Sequence, residues 1–183
     1  MGDTRLILSR ELILEPHPDR LDSFHGGEDK RFAVLLDNIR SAWNVGSIFR
    51  SADGFRFAHA YLCGITPTPD NEAVTKTSLG AEDSVTWSYH KDAVKLVSGL
   101  KKEGWKVWAL EEEEKAVEIA QNAKGGTQNV VLIVGNEVTG VDPELLELAD
   151  KIFYIPMRGE KKSYNVAMAF SIAAYALSVK QTN

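Results

Sequence analysis

Short apolar runs alternate with amphipathic stretches from Arg31 onward, and the alternation predicts an α/β fold. Phe32–Leu36 (FAVLL), His59–Cys63, Val85–Tyr89, Lys106–Leu110, Val130–Val134 (VVLIV) and Ile152–Ile155 read as strands. Runs this short and this apolar suit strands buried on both faces, as in a parallel sheet. Over Asn44–Asp53, Val45, Ile48, Phe49 and Ala52 fall on one helical face, with Asn44 as candidate N-cap and Gly54 as candidate C′ residue. Lys91–Glu103 reads as an amphipathic helix closed by Gly104, and Glu113–Ala123 as another. Pro143–Ala149 is a short helix with Asp142 at N-cap and Pro143 at N1. Gly64–Ser78, with Pro67 and Pro69, is a long loop with room for a helical turn. Asn165–Lys180 closes the pattern as an alanine-rich helix. The sum is a mainly parallel sheet with helices on both faces, whose ligands bind beyond the carboxyl ends of the strands.

The pattern fades before Arg31. Arg5–Glu15 reads as a helix or an extended arm, Pro16 and Pro18 break it, and His25–Asp29 is a loop. Residues 1–30 are therefore taken as an N-terminal extension and 31–183 as one domain, a size that buries a sizeable core. No apolar run is long enough to cross a membrane, and charges interrupt the N-terminal apolar residues, so a cytoplasmic protein is the expectation. Cys63 is the only cysteine, which excludes an internal disulfide and a cysteine metal cluster. His17, His25, His59 and His90 show no metal-ligand spacing, so no metal is expected. Trp43, Trp87, Trp105 and Trp108 are expected to pack. A net charge of −5 argues against non-specific coating of nucleic acid but leaves room for local basic patches.

Three polar segments follow strands, where a parallel sheet puts its ligands. The first, Asp37–Arg50, holds Asn44 at the rim of a helix N-terminus and Arg50 roughly opposite the apolar stripe. It reads as a capping asparagine with a solvated arginine, or as an anion site. The second, Gly135–Gly140, brackets a turn with two glycines after the VVLIV run. It is not a dinucleotide fingerprint, and the chain has no phosphate-loop motif. In the third, Lys151, Arg158, Lys161 and Lys162 stand against the single acid Glu160 before Asn165. That loop joins two apolar elements, so it reads as solvated or as facing a polyanion.

In this order and spacing the segments resemble the SpoU/TrmH-type RNA ribose 2′-O-methyltransferases of the SPOUT class. Asn44, Gly46, Arg50 and Ala52 match the family's first motif; Gly135, Glu137 and Gly140 match its second. Ile155, Pro156, Met157, Gly159, Ser163, Asn165 and Val166 match its third, with Tyr164 where the family usually has leucine. The resemblance implies an α/β sheet whose C-terminal segment forms a deep trefoil knot, and a homodimer. It implies S-adenosylmethionine as cofactor, held by Leu110, Gly135, Asn136, Glu137, Ile155, Met157, Ser163, Tyr164 and Asn165. It also implies a catalytic set of Arg50, Asn44, Glu137, Ser163 and Asn165, with Arg50 completing the site across the dimer. The substrate expected is tRNA or rRNA. Candidate RNA contacts are Arg40, Arg50, Arg56, Arg158, Lys161 and Lys162, with Arg5 and Arg10.

The terminal helix points to a dimer on its own pattern. Apolar residues spread nearly all round it, so it must be buried on most faces. The sheet on one side and a partner copy on another meets that need; burial inside a monomer's own core is the alternative. Two other functional classes stay open: a non-catalytic RNA-binding or assembly module with the same fold, and an unrelated nucleotide-binding α/β protein. The intact Asn44, Arg50, Glu137 and Asn165 favour the enzyme.

Overall fold

The computed structural model describes residues 32–123 and 128–178. The N-terminal extension, with Arg5 and Arg10, and the end of the helix expected over Asn165–Lys180 lie outside the described residues.

Among the described residues seven strands form one sheet in the order β3-β2-β1-β6-β4-β7-β5. They are β1 Phe32–Asp37, β2 His59–Cys63, β3 Thr86–His90, β4 Lys106–Leu110, β5 Val117–Glu118, β6 Val130–Val134 and β7 Lys151–Tyr154. Every strand pairing is parallel. The period of two along a strand sends alternate residues to opposite faces. Val34 and Leu36 of β1 and Leu132 of β6 join one buried cluster with Phe170 and Ala174; Ala33, Leu35, Val131 and Ile133 join another with Val97, Leu100 and Leu145. The first cluster receives α1 Ala42–Gly54, α2 Glu72–Ser78, α3 Ala81–Ser84, α5 Ile119–Asn122 and α7 Val166–Ser178. The second receives α4 Ala93–Lys102 and α6 Pro143–Leu148. The central strands are thus covered on both sides, which is why their runs are continuously apolar.

The helix ends correct several expectations. Ser41, not Asn44, is the N-cap of α1: its hydroxyl accepts from the Asn44 N–H at 3.3 Å. That places Asn44 inside the first turn and frees its side chain for other work. Gly54 ends the helix rather than following it; Arg56 takes the left-handed conformation with φ 56°. The stretch Gly64–Ser78 is not all loop. Asn71 caps α2 by accepting from the Ala73 N–H at 2.9 Å, and the helix stops at a left-handed Leu79. Asp92 caps α4, so that helix begins at Ala93 rather than Lys91. The strand expected at Val85–Tyr89 is shifted by one because Val85 N–H closes α3 on Ala81 O at 2.9 Å. β7 likewise starts one residue early, at Lys151, where it pairs with Trp108.

The helix expected over Glu113–Ala123 does not form as one element. Val117 pairs with Phe153 and Glu118 with Tyr154, so the backbone there extends as β5, and only Ile119–Asn122 is helical. Four consecutive glutamates, Glu111–Glu114, repel along a helix, and the exposed edge of β7 offers backbone partners instead. Cys63 is buried; burial first, then Asp37 and Asp92, push its thiol up to about 12, so it acts as core rather than nucleophile. Trp108 packs as expected, but Trp43 is 57% exposed on α1.

Candidate active site

The three polar segments meet beyond the carboxyl ends of β1, β4, β6 and β7. β1 ends in Asp37, a carboxylate 2% exposed. Its oxygens accept from the Asp142 N–H at 2.9 Å and the Asn38 side-chain amide at 2.8 Å. Burial pushes this carboxyl up, against those two donors, and the charge of Asp142 adds to the rise. The turn after β6 is held by Asn136. Its side-chain oxygen accepts from Val138 and Thr139 N–H, and its amide donates to Asn38 O at 2.7 Å. Gly135 has no room for a side chain, since a Cβ there would lie 2.2 Å from Val141 N.

Glu137 projects from this turn to the start of α1. Its carboxylate accepts from Arg40 N–H at 2.9 Å, Ser41 N–H at 3.1 Å and the Asn44 amide at 2.8 Å. A helix N-terminus favours such a charge. Burial pushes the carboxyl up, yet the donors from Arg40, Asn44, its own N–H and Ser41 outweigh burial and hold it below the ordinary carboxylate value. Asn44 passes the link on: its side-chain oxygen accepts from the Asn165 amide at 3.0 Å. The Asn165 oxygen in turn accepts from Ala167 N–H at 2.9 Å at the start of α7. One hydrogen-bond chain, Glu137–Asn44–Asn165, therefore ties all three segments together.

Beside this chain lies a cleft of about 290 Å³. Leu110, Val134, Ile155, Val166 and Ala169 give it an apolar wall, while Glu111, Glu112, Glu137, Asn165 and Lys162 bring polar groups to it. A cleft that sets placed polar groups beside an apolar wall is a usual form of small-molecule site.

A family model, described as the SpoU rRNA methylase family, matches residues 31–175. The chain belongs to that family. Among its relatives, a tRNA (guanosine(18)-2′-O)-methyltransferase of Aquifex aeolicus is 30% identical over 166 residues, covering 90% of this chain and 76% of the relative. The 23S rRNA (guanosine(2553)-2′-O)-methyltransferase RlmP of Bacillus subtilis is 32% identical, covering 80% of this chain and 58% of the relative. The structure of an AdoMet-bound rRNA methyltransferase from Sinorhizobium meliloti superimposes with a TM-score of 0.74 at 26% identity, covering 80% of this chain and 55% of that one. The chain thus spans little more than half the length of the last two.

As a SpoU-family chain, its motif residues sort into three places. Leu110, Gly135, Asn136, Glu137, Ile155, Ser163, Tyr164 and Asn165 line the one cleft; Met157 is not part of its lining. Asn44 stands behind it, bonded to two lining residues. Arg50 is exposed on α1 and lines no part of the cleft, and its guanidinium makes no hydrogen bond or ion pair among the described residues. Arg40 precedes α1 and Arg56 follows it, which separates them by roughly 20 Å at 1.5 Å per residue. Arg158 and Lys161 are exposed on the loop after β7, while Lys162 of that loop reaches the cleft lining.

Several lining residues escaped sequence reasoning: Glu111, Glu112, Val134, Val138, Tyr154 and Ala169. Glu111 and Glu112 were visible only as the start of an acidic run. Ala169 had a usable signal, since it lies one helical turn after Asn165 on the same face.

Proposed function

We propose that this protein transfers a methyl group from S-adenosylmethionine to a ribose 2′-hydroxyl of tRNA or rRNA. The observation that carries the reading is the Glu137–Asn44–Asn165 chain beside the cleft, in a SpoU-family chain. The residues fit the cofactor. Leu110, Val134, Ile155 and Val166 offer an apolar wall for an adenine ring, and the carboxylates suit a cationic ligand. When bound, the cofactor supplies an electrophilic methyl carbon on a cationic sulfur.

The chain's own residues supply position. Glu137, Asn44 and Asn165 hold the loop after β6, the start of α1 and the start of α7 in one register, and Ser163 and Tyr164 complete the wall. Positioning of this kind accounts for much of the rate of a displacement between two bound reactants. Arg50 binds a phosphate beside the target ribose and polarises its 2′ oxygen; a guanidinium, with a pKa above about 12, does not act as the base. Arg40, Arg56, Arg158 and Lys161 add phosphate contacts, so affinity for RNA falls with salt.

Two finer features belong to this reading. The active unit is a homodimer in which Arg50 serves the partner's cleft. Its support is the exposed apolar stripe Met168, Ile172 and Tyr175 on α7, at 58%, 36% and 61% exposure, together with the absence of Arg50 from its own cleft lining. The segment after β7 threads a loop as a deep trefoil knot. Its support is the order β4-β7-β5, which seats β7 between two strands that follow one another in sequence.

Mapping 2′-O-methylation in total RNA from a strain lacking the gene tests the proposal. One or more sites in tRNA or rRNA are expected to lose their methyl group and regain it when the purified protein and S-adenosylmethionine are added. An unchanged map would refute it.

A further inference from the structure

The cleft carries a charge imbalance that the hydrogen bonds described so far do not consume. Its lining holds three carboxylates, Glu111, Glu112 and Glu137, and one cation, Lys162. Glu137 is committed to the start of α1. Glu112 and Lys162 are exposed and screened by solvent. Glu111 is different, because it is half-buried and fixed in place.

Backbone groups alone do the fixing. The Glu111 N–H donates to Phe153 O at 2.9 Å, extending the β4–β7 pairing past Leu110. Its carboxylate accepts from Glu112 N–H at 3.0 Å and from Val141 N–H at 2.9 Å. Gly140 packs so closely that a Cβ on it would lie 2.3 Å from Glu111 Oε2. No lysine or arginine among the described residues forms an ion pair with Glu111. The result is a pinned negative charge in the wall of the cleft, without an ion-paired cation among the described residues. A fixed charge in a partly dry wall acts on a ligand more strongly than one in water.

We propose that Glu111 is a specificity-determining residue that makes the cleft favour the cationic sulfonium cofactor over its neutral thioether product. This rests on the cofactor reading above. S-Adenosylmethionine and S-adenosylhomocysteine share the adenosine, the amine and the carboxylate. They differ by one methyl group and one positive charge. Loss of the methyl therefore removes the attraction to Glu111, which favours exchange of product for fresh cofactor.

Calorimetric binding of three ligands tests this: S-adenosylmethionine, S-adenosylhomocysteine, and sinefungin, which carries an amine cation in place of the sulfonium. Two substitutions separate charge from shape. Glu111→Gln keeps an oxygen for the Val141 N–H but loses the charge; Glu111→Asp keeps the charge but falls short of that N–H. Glu111→Gln is expected to weaken both cationic ligands by roughly three- to tenfold, with S-adenosylhomocysteine changed by less than about twofold. Glu111→Asp is expected to weaken all three while keeping the preference for the cations. Equal losses for all three ligands in Glu111→Gln, no loss for any, or loss of the preference in Glu111→Asp would each overturn the proposal. If the unaltered protein binds none of the three, the cofactor reading itself fails and the proposal falls with it.

Discussion

The side-chain amide of Asn44 donates to the Glu137 carboxylate at 2.8 Å, across 93 residues of chain. The same side chain accepts from Asn165 at 3.0 Å. Among the described residues Asn44 is thus the side chain hydrogen-bonded to both other segments. Asn44→Ala breaks both links and leaves Glu137 with backbone donors only. Methyl transfer is expected to fall by about a hundredfold, the scale of a misplacement near 1 Å, with the fold intact. Initial rates with saturating cofactor, alongside a melting curve, check this.

Arg50 is not among the residues that line the cleft of its own chain. If it serves catalysis by meeting phosphate and the ribose oxygen, removing it leaves the cofactor site untouched. Arg50→Ala is expected to bind S-adenosylmethionine with unchanged affinity and to lose about a hundredfold or more in methyl transfer. Calorimetry and a transfer assay on the same preparation separate the two. Full activity in the variant would remove Arg50 from the catalytic set.

Gly46 sits in the first motif, yet its surroundings are packing rather than chemistry. A Cβ there would lie 2.4 Å from Val74 O and 2.2 Å from Thr77 Oγ1, between α1 and α2. Gly46→Ala must push the two helices apart. A loss of about 1–3 kcal/mol in stability is expected, measured by urea unfolding. Because α1 carries Asn44 and Arg50, activity should fall with it.

His59 gives a pH dependence of stability. Its Nδ1 lies 2.8 Å from Thr86 Oγ1 and its Nε2 lies 2.8 Å from Ser88 Oγ, which also contacts His90 Nε2 at 2.8 Å. Burial first, then the charge of His90, hold the His59 pKa below its ordinary value. The unfolded chain therefore binds the proton more readily than the folded one, so stability rises with pH through this window. Going down, stability is lost as pH drops below about 6.5 and levels off below the folded value. The melting temperature is expected to fall between pH 7.5 and 5.5, and His59→Gln should flatten that part of the profile.

The apolar stripe of α7 makes the dimer testable without reference to activity. Ile172 lies one turn from Met168 and close to Tyr175 on the same face. Ile172→Asp is expected to give a folded monomer by light scattering, with cofactor binding retained. An unaltered protein that is itself monomeric would remove the dimer and with it the placement of Arg50 in a partner's cleft.

Periodicity alone was enough to find six of the seven strands described. His59–Cys63, Lys106–Leu110 and Val130–Val134 have the same bounds in sequence and structure. Strands buried on both faces leave short continuous apolar runs, and their length separates them from the longer apolar run of the terminal helix. The short-range signals at Asp142 and Pro143 were equally legible, because a cap acts within four residues.

Tertiary contact decided the rest. Asn44 looks like an N-cap until Ser41 takes that place, and only then is its side chain free to join Glu137 and Asn165. Glu113–Ala123 reads as a helix because helix propensity is local, whereas its backbone at Val117–Glu118 is recruited by β7, over thirty residues away. Glu111 shows no motif at all; its fixed position depends on Phe153 and Val141, which reach it through the order of the sheet. The sequence on its own determined six of the seven strands and which residues recur at motif spacing. The tertiary structure decided which polar groups meet, because a hydrogen bond between residues a hundred positions apart leaves no trace in periodicity.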